Sequence, residues 1–280
     1  MRVETRVEVV PLSDALGAEI RGVDASRSLS QETFEKVLAA WHESLVIVLR
    51  GQDLDEESQV RFAERFGDLS PIHTDHHSPT NKAVMYIGNR KKDGRIVGAL
   101  PLGEMQFHSD QCYKERPAMG TMLYSIEIPA EGGNTLLANA YKAYEALPSE
   151  VKNIIQGKKA VQVYDYDGGV TDRKKMVSPE TGIHFAHPVV RTHPATGRKA
   201  LYVNRLMTHH LEGLPAQQSE ELLALMFETL ERPEFVYEHR WRVGDVLLWD
   251  NRCTLHARRD FDPNENRWLR RVTIKGDRPR

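Results

Sequence analysis

The chain has 280 residues, with 38 Lys and Arg against 40 Asp and Glu and a net charge of −2. That balance excludes a general binder of nucleic acid or of an anionic membrane surface, because neither polyanion attracts the molecule as a whole. The longest apolar run, residues 222–227, cannot span a bilayer, and two cysteines cannot make a disulfide framework, so a soluble, cytoplasmic, globular protein is expected.

The first six residues alternate charge with apolar side chains and show no secretory signal stretch. Residues 6–10 read as a strand. Ser30-Gln31-Glu32-Thr33 then resembles a cap for a helix running to about Trp41. Residues 44–49 are short, β-branched and closed by Gly51, as a buried strand would be. A second helix is expected over 55–66, carrying Val60, Phe62, Ala63 and Phe66 and stopped by Gly67. Beyond it the texture changes to short apolar or alternating segments at 83–87, 119–126, 135–138, 200–203, 235–241, 245–249 and 268–274. Gly, Pro, Asn and Asp separate them, which favours an antiparallel sandwich or barrel over a doubly wound sheet. Helical patches at 141–147 with 149–155, and at 216–230, interrupt the strands, and the last has a broad apolar stripe. No linker or repeat divides the chain, so one domain over 1–280 is expected, mainly β with flanking helices.

The densest histidine group, His73-Thr74-Asp75-His76-His77, lies between Ser-Pro pairs and reads as a loop facing solvent or substrate. His209-His210 reads as the end of a helix or loop. His42-Glu43 lacks the second histidine of a zinc-protease helix, Gly132-Gly133-Asn134-Thr135 lacks the lysine and spacing of a phosphate loop, and no nucleophile elbow occurs. His108-Ser109-Asp110 is a stronger signal. On a strand, residues two apart share a face, so an imidazole and a carboxylate can grip one ion together. His256 supplies a third ligand from afar. Two histidines and one carboxylate suit ferrous iron with open positions, while a zinc hydrolase with the same triad, or a binding protein without catalysis, remains an alternative. Arg267 and Arg271, four apart, share a face on an extended strand, and two guanidiniums suit two anionic groups.

Phe107-His108-Ser109-Asp110, the Gly132-Gly133-Asn134-Thr135 turn, Val189-Val190-Arg191-Thr192-His193-Pro194 with the following Gly197 to Asn204, and the ending Trp249-Asp250-Asn251-Arg252…His256…Arg267…Arg271 together resemble the taurine dioxygenase / chlorophenoxyacetate dioxygenase (TauD/TfdA) family. The likeness runs from about residue 10 to 279. It implies a double-stranded β-helix (jelly-roll) core and a dioxygenase using Fe(II), 2-oxoglutarate and O₂, with succinate and CO₂ as co-products. By position it implies His108, Asp110 and His256 as iron ligands and no catalytic residue beyond that centre. Thr135 and Arg267 would hold the distal carboxylate of 2-oxoglutarate, Arg271 the substrate's acidic group, and His73 would lie in the substrate loop. Taurine-specific members carry Asn four residues before the first ligand; here that position is Glu104, which points away from taurine itself. The expected substrate is a small organic acid, sulfonate or carboxylate, with aryloxyalkanoates included. Tyr164, Tyr166 and Met207 read as core or as pocket lining. No nucleic acid or membrane partner is expected, and the family resemblance allows a homodimer or tetramer. Cys112 and Cys253, close to the ligands in sequence, are expected as free thiols.

Overall fold

Helix ends in the computed structural model, which describes residues 6–72, 77–100, 103–164 and 176–280, fall where side chains hold them. The Ser30 hydroxyl accepts the Thr33 N–H at 3.1 Å and starts a helix over Gln31–Ser44. It runs three residues past the expected end, because Leu45 takes a left-handed φ of 67° and returns its N–H to the Trp41 carbonyl. The strand expected from residue 44 therefore begins at Val46 and covers Val46–Leu49. Asp55 caps the second helix, Glu56–Glu64, by accepting the Ser58 N–H at 2.8 Å.

Two antiparallel sheets carry the molecule. The larger has seven strands in the order Glu8–Pro11, Ala18–Arg21, Val46–Leu49, Val246–Asp250, Ala118–Glu127, Trp268–Lys275 and Val84–Gly88. Only Ala18–Arg21 against Val46–Leu49 is parallel in it. The smaller has four strands in the order Val236–His239, Thr135–Asn139, Thr254–Arg258 and Met105–His108. Leu123, Leu247, Trp249 and Leu269 from the first meet Leu137 and Leu255 from the second in one buried cluster, so the sheets face each other across the core. The alternate residues Met122, Val246, Leu248, Val272 and Ile274 point the other way, onto Phe34, Val37, Trp41 and Phe62 of the two helices. Strands buried on both faces read as continuous apolar runs, which is why 245–249 carries no polar alternation. The result is mainly β, a jelly-roll core with helices outside.

A third sheet, His184–Pro188, Lys159–Val163 and Thr208–Leu211, lies under the helix Ala216–Leu230. It corrects the reading of His209-His210, which lie within a strand rather than at a helix or loop end. The strand expected at 200–203 is only Lys199–Leu201, and the helical patch at 141–155 is two helices, Ala140–Ala146 and Ser149–Ile155, parted before Pro148. Among the described residues no helix is long and apolar enough to cross a membrane. His73 and Tyr166 lie outside the described residues.

Candidate active site between the two sheets

Met105–His108 is the edge strand of the smaller sheet, and its antiparallel register with Thr254–Arg258 sets His108 directly opposite His256. Their ring centroids are 4.1 Å apart, and the indole of Trp249 packs 4.5 Å from the His256 ring. Asp110 arrives differently from the sequence expectation. The strand ends at His108, and Asp110 sits in the turn that follows, before Gln111 at φ 58°. The chain leaves the ladder because Asn251 captures it: Ser109 Oγ donates to the Asn251 carbonyl at 2.9 Å, and the Asp110 N–H donates to Asn251 Oδ1 at 3.3 Å.

Asp110 Oδ1 then lies 4.0 Å from His108 Nε2 and 3.9 Å from His256 Nε2. One ligand atom from each of the three residues falls within 4.8 Å of the others, close enough to surround a single ion. His108 Nδ1 donates to the Gln106 carbonyl at 2.9 Å, so its Nε2 carries the lone pair that a metal requires. Asp110 Oδ1 is buried and accepts no aligned hydrogen bond. Burial would raise the Asp110 value, but Arg271, His256, His108 and the Thr121 hydroxyl more than offset it, and the carboxyl is held well below its ordinary value. Burial lowers both imidazoles, His256 most, with Asp110 opposing. The cluster is thus anionic carboxylate and neutral imidazoles at pH 7, the protonation state of a metal site.

Arg267 makes the second half. Gly132 and Gly133 turn with φ of 77° and 63°; a Cβ at Gly132 would meet the Asp260 carbonyl at 2.4 Å, and one at Gly133 the Arg267 side chain at 3.0 Å. The bare turn lets Arg267 lie against it and donate Nε to the Gly133 carbonyl at 3.0 Å, two residues before Thr135. Arg267 is only 2% exposed, and among the described residues no carboxylate pairs with it. Burial, with the neighbouring Arg258 adding to it, lowers its guanidinium from 12.5 to about 9, still charged at pH 7. A buried cation without an acid is a receptor for an anion. Thr135, two residues after Gly133, is buried, its hydroxyl accepting from Trp241 Nε1 at 3.2 Å.

Arg267 stands one residue before the strand Trp268–Lys275 that carries Arg271; in that strand Leu269 faces the inter-sheet core, while Val272 and Ile274 face the helices. Arg271 reaches the cluster of His108, Asp110 and His256, its Nη2 2.8 Å from Asp110 Oδ1. Glu104 is at the surface, 3.7 Å from Arg259, and does not line the site. Met207 is core, packed with Cys112, Tyr113, Tyr202 and Leu206, whereas Tyr164 is 38% exposed and meets the Tyr113 ring edge-on at 4.9 Å. Both cysteines are buried free thiols, as expected. Three participants were not anticipated. Thr121 donates to Asp110 Oδ2, Asn251 organises the turn, and Arg258 clasps the carbonyls of Leu100 and Gly103 just before the His108 strand. Asn251 and Arg258 stand within stretches that attracted notice, but a lone Thr in an apolar strand gives no signal.

The family model for taurine catabolism dioxygenase TauD, TfdA family, matches residues 8–273. The chain belongs to this family. Among its relatives, pentalenolactone F synthase of Streptomyces avermitilis is 32% identical over 95% of this chain and 92% of its own length. The alpha-ketoglutarate-dependent 2,4-dichlorophenoxyacetate dioxygenase of Cupriavidus pinatubonensis is 31% identical over 95% of this chain and 97% of its own. A solved structure of AAD-2 in complex with Mn(II) and N-oxalylglycine superposes with a TM-score of 0.83, at 26% identity and 98% coverage of both chains. As a TauD/TfdA protein the chain is a 2-oxoglutarate-dependent dioxygenase, an oxidoreductase.

Proposed function

We propose that His108, Asp110 and His256 hold Fe(II), that Arg267 and Thr135 take the distal carboxylate of 2-oxoglutarate, and that Arg271 takes the acidic group of the substrate. The substrate is a small organic acid, a sulfonate or a carboxylate such as an aryloxyalkanoate. Fe(II) bound there, with 2-oxoglutarate and O₂, supplies the chemistry: C–H hydroxylation coupled to release of succinate and CO₂.

The observation that carries this reading is the buried charge of Arg267, which no carboxylate among the described residues pairs, together with two histidines and one aspartate whose ligand atoms lie within 4.8 Å of one another. A hydrolytic zinc site uses such a cluster but gives Arg267 nothing to bind. The residues then divide the work. Arg267 fixes one end of the cosubstrate by charge-assisted hydrogen bonds, in a pocket dry enough to make them strong. Arg271 fixes the substrate by its anion, so that one C–H is presented repeatedly to the same point. The inter-sheet core excludes water around both. We place the enzyme in the cytoplasm, whose reducing conditions suit its two buried thiols.

The test is anaerobic loading with Fe(II), then addition of O₂ and 2-oxoglutarate with a panel of sulfonates, aryloxyalkanoates and simple carboxylates. Succinate should form in step with hydroxylated product for at least one acid and not for neutral analogues. Absence of 2-oxoglutarate consumption across the panel, in protein shown to contain Fe(II), would overturn the proposal.

A further inference from the structure

The two oxygens of Asp110 are treated unequally. Oδ1 faces the histidines and Arg271, while Oδ2 accepts the Thr121 hydroxyl at 2.6 Å. Thr121 Oγ1 in turn receives Asn251 Nδ2 at 3.0 Å. Asn251 Oδ1 receives Trp249 Nε1 at 3.0 Å and the Asp110 N–H at 3.3 Å. All of these side chains are buried. The direction of the chain follows from its last member. An indole N–H can only donate, so the Asn251 oxygen must face Trp249 and its NH₂ must face Thr121. Thr121 accepts there and has one proton left, which goes to Oδ2. Asn251 is itself fixed by its backbone, with its N–H on the Met119 carbonyl at 2.9 Å and its carbonyl on Ser109 Oγ at 2.9 Å.

We propose that Thr121 is a positioning residue. Backed by Asn251 and Trp249, it pins Oδ2 and leaves Asp110 to offer a metal one oxygen only. A carboxylate released from that hydrogen bond can rotate and present both oxygens, closing a position that a two-histidine, one-carboxylate site keeps open. The inference rests on the metal site proposed above, and deepens it by assigning the geometry of its charged ligand to a residue that touches neither metal nor substrate.

Titration of metal-free protein with Co(II) alone, followed by calorimetry and by the visible d–d absorption, tests it in the wild type and in Thr121→Val, Thr121→Ala, Thr121→Ser and Asp110→Ala. The wild type should bind one Co(II), and Asp110→Ala should not. Thr121→Val and Thr121→Ala should bind about 10- to 100-fold more weakly, the range for lost outer partners of metal ligands, with altered d–d intensity. Thr121→Ser should restore both the affinity, to within about threefold, and the wild-type spectrum, since it restores the hydroxyl. A residue important only for packing would lower the melting temperature and leave affinity and spectrum alone. Wild-type affinity and spectrum in Thr121→Val or Thr121→Ala would overturn the inference while leaving the metal site standing. Failure of the wild type to bind, or full binding by Asp110→Ala, would overturn the metal site and the inference with it.

Discussion

Asp110 and Asp250 are both buried, both lie beside a histidine and an arginine, and both are held well below the ordinary carboxylate value against the opposing effect of burial. At Asp250, Oδ1 accepts from the Arg252 N–H at 2.9 Å and Nε at 2.8 Å, and Oδ2 from Arg252 Nη2 at 2.6 Å and His193 Nε2 at 2.9 Å. Every lone-pair direction of that carboxylate is used. His193 is equally committed, because its Nδ1 accepts the N–H groups of Ala195 and Thr196, both at 3.2 Å. With Cys253 this group has the right atoms at the right spacing for a metal, yet no acceptor to spare. At Asp110 one hydroxyl occupies Oδ2, and Oδ1, with Arg271 Nη2 at 2.8 Å, accepts no aligned hydrogen bond. Residue type and distance do not tell the two groups apart; the count of satisfied acceptors does, and it is what favours Asp110 as the proposed metal site.

That contrast breaks first at the two aspartates. Asp110→Ala should reduce turnover below detection in whatever fraction remains folded; measurable turnover would show that Oδ1 is not a ligand. Asp250→Asn should act on stability, leaving the Arg252 guanidinium buried without its charge partner. Breaking such a pair costs about 3–5 kcal/mol, and each kcal/mol is worth about 2–4 °C in a chain of this size. A melting temperature lower by about 10 °C is expected, and an unchanged melt would mean that the bridge is not structural.

The arginines sharpen the comparison by roughly one to two decades. Arg267→Ala should raise the 2-oxoglutarate requirement about 10- to 150-fold, and Arg271→Ala should raise the substrate KM by a similar factor and uncouple 2-oxoglutarate decay from product. Separate titrations with cosubstrate and substrate decide this, and equal damage to both affinities in either variant would contradict the division of roles. The smallest effect is in pH. His108 and His256 are lowered by burial, so they remain neutral below 6.5, and their metal-binding form is lost only as pH falls through those lowered values. Two ordinary imidazoles would lose about tenfold in metal affinity between pH 7.5 and 6.0. A smaller loss is expected here, and a tenfold loss in a Co(II) titration would show that the site is wet.

What the sequence disclosed depended on how local its cause was. The cap at Ser30 acts on a residue three positions away and was legible, whereas Asp55, expected as the first residue of its helix, is the cap before it. The doubly buried strands were legible too, since their apolar runs need no partner to be recognised. Leu45 in the left-handed region was not, since nothing in Ser44-Leu45-Val46 marks it. The strand Thr254–Arg258 was missed as well, because its inward-facing His256 and Arg258 look polar until the site they line is known. In the site, the three proposed ligands and both arginines were singled out by resemblance as much as by spacing. Asp110 was placed on a strand that ends two residues earlier, and Thr121 escaped because its role lies in one hydrogen bond across the sheet.

The most direct measurement is the iron content of purified protein after anaerobic equilibrium dialysis against Fe(II), in the wild type and in single alanine variants of His108, Asp110, His256 and His193. One Fe(II) per chain is expected in the wild type and in whatever fraction of His193→Ala remains folded, and none in the folded fraction of the other three. Iron retained by Asp110→Ala, or lost from folded His193→Ala while His108→Ala keeps it, would place the metal at the other aspartate.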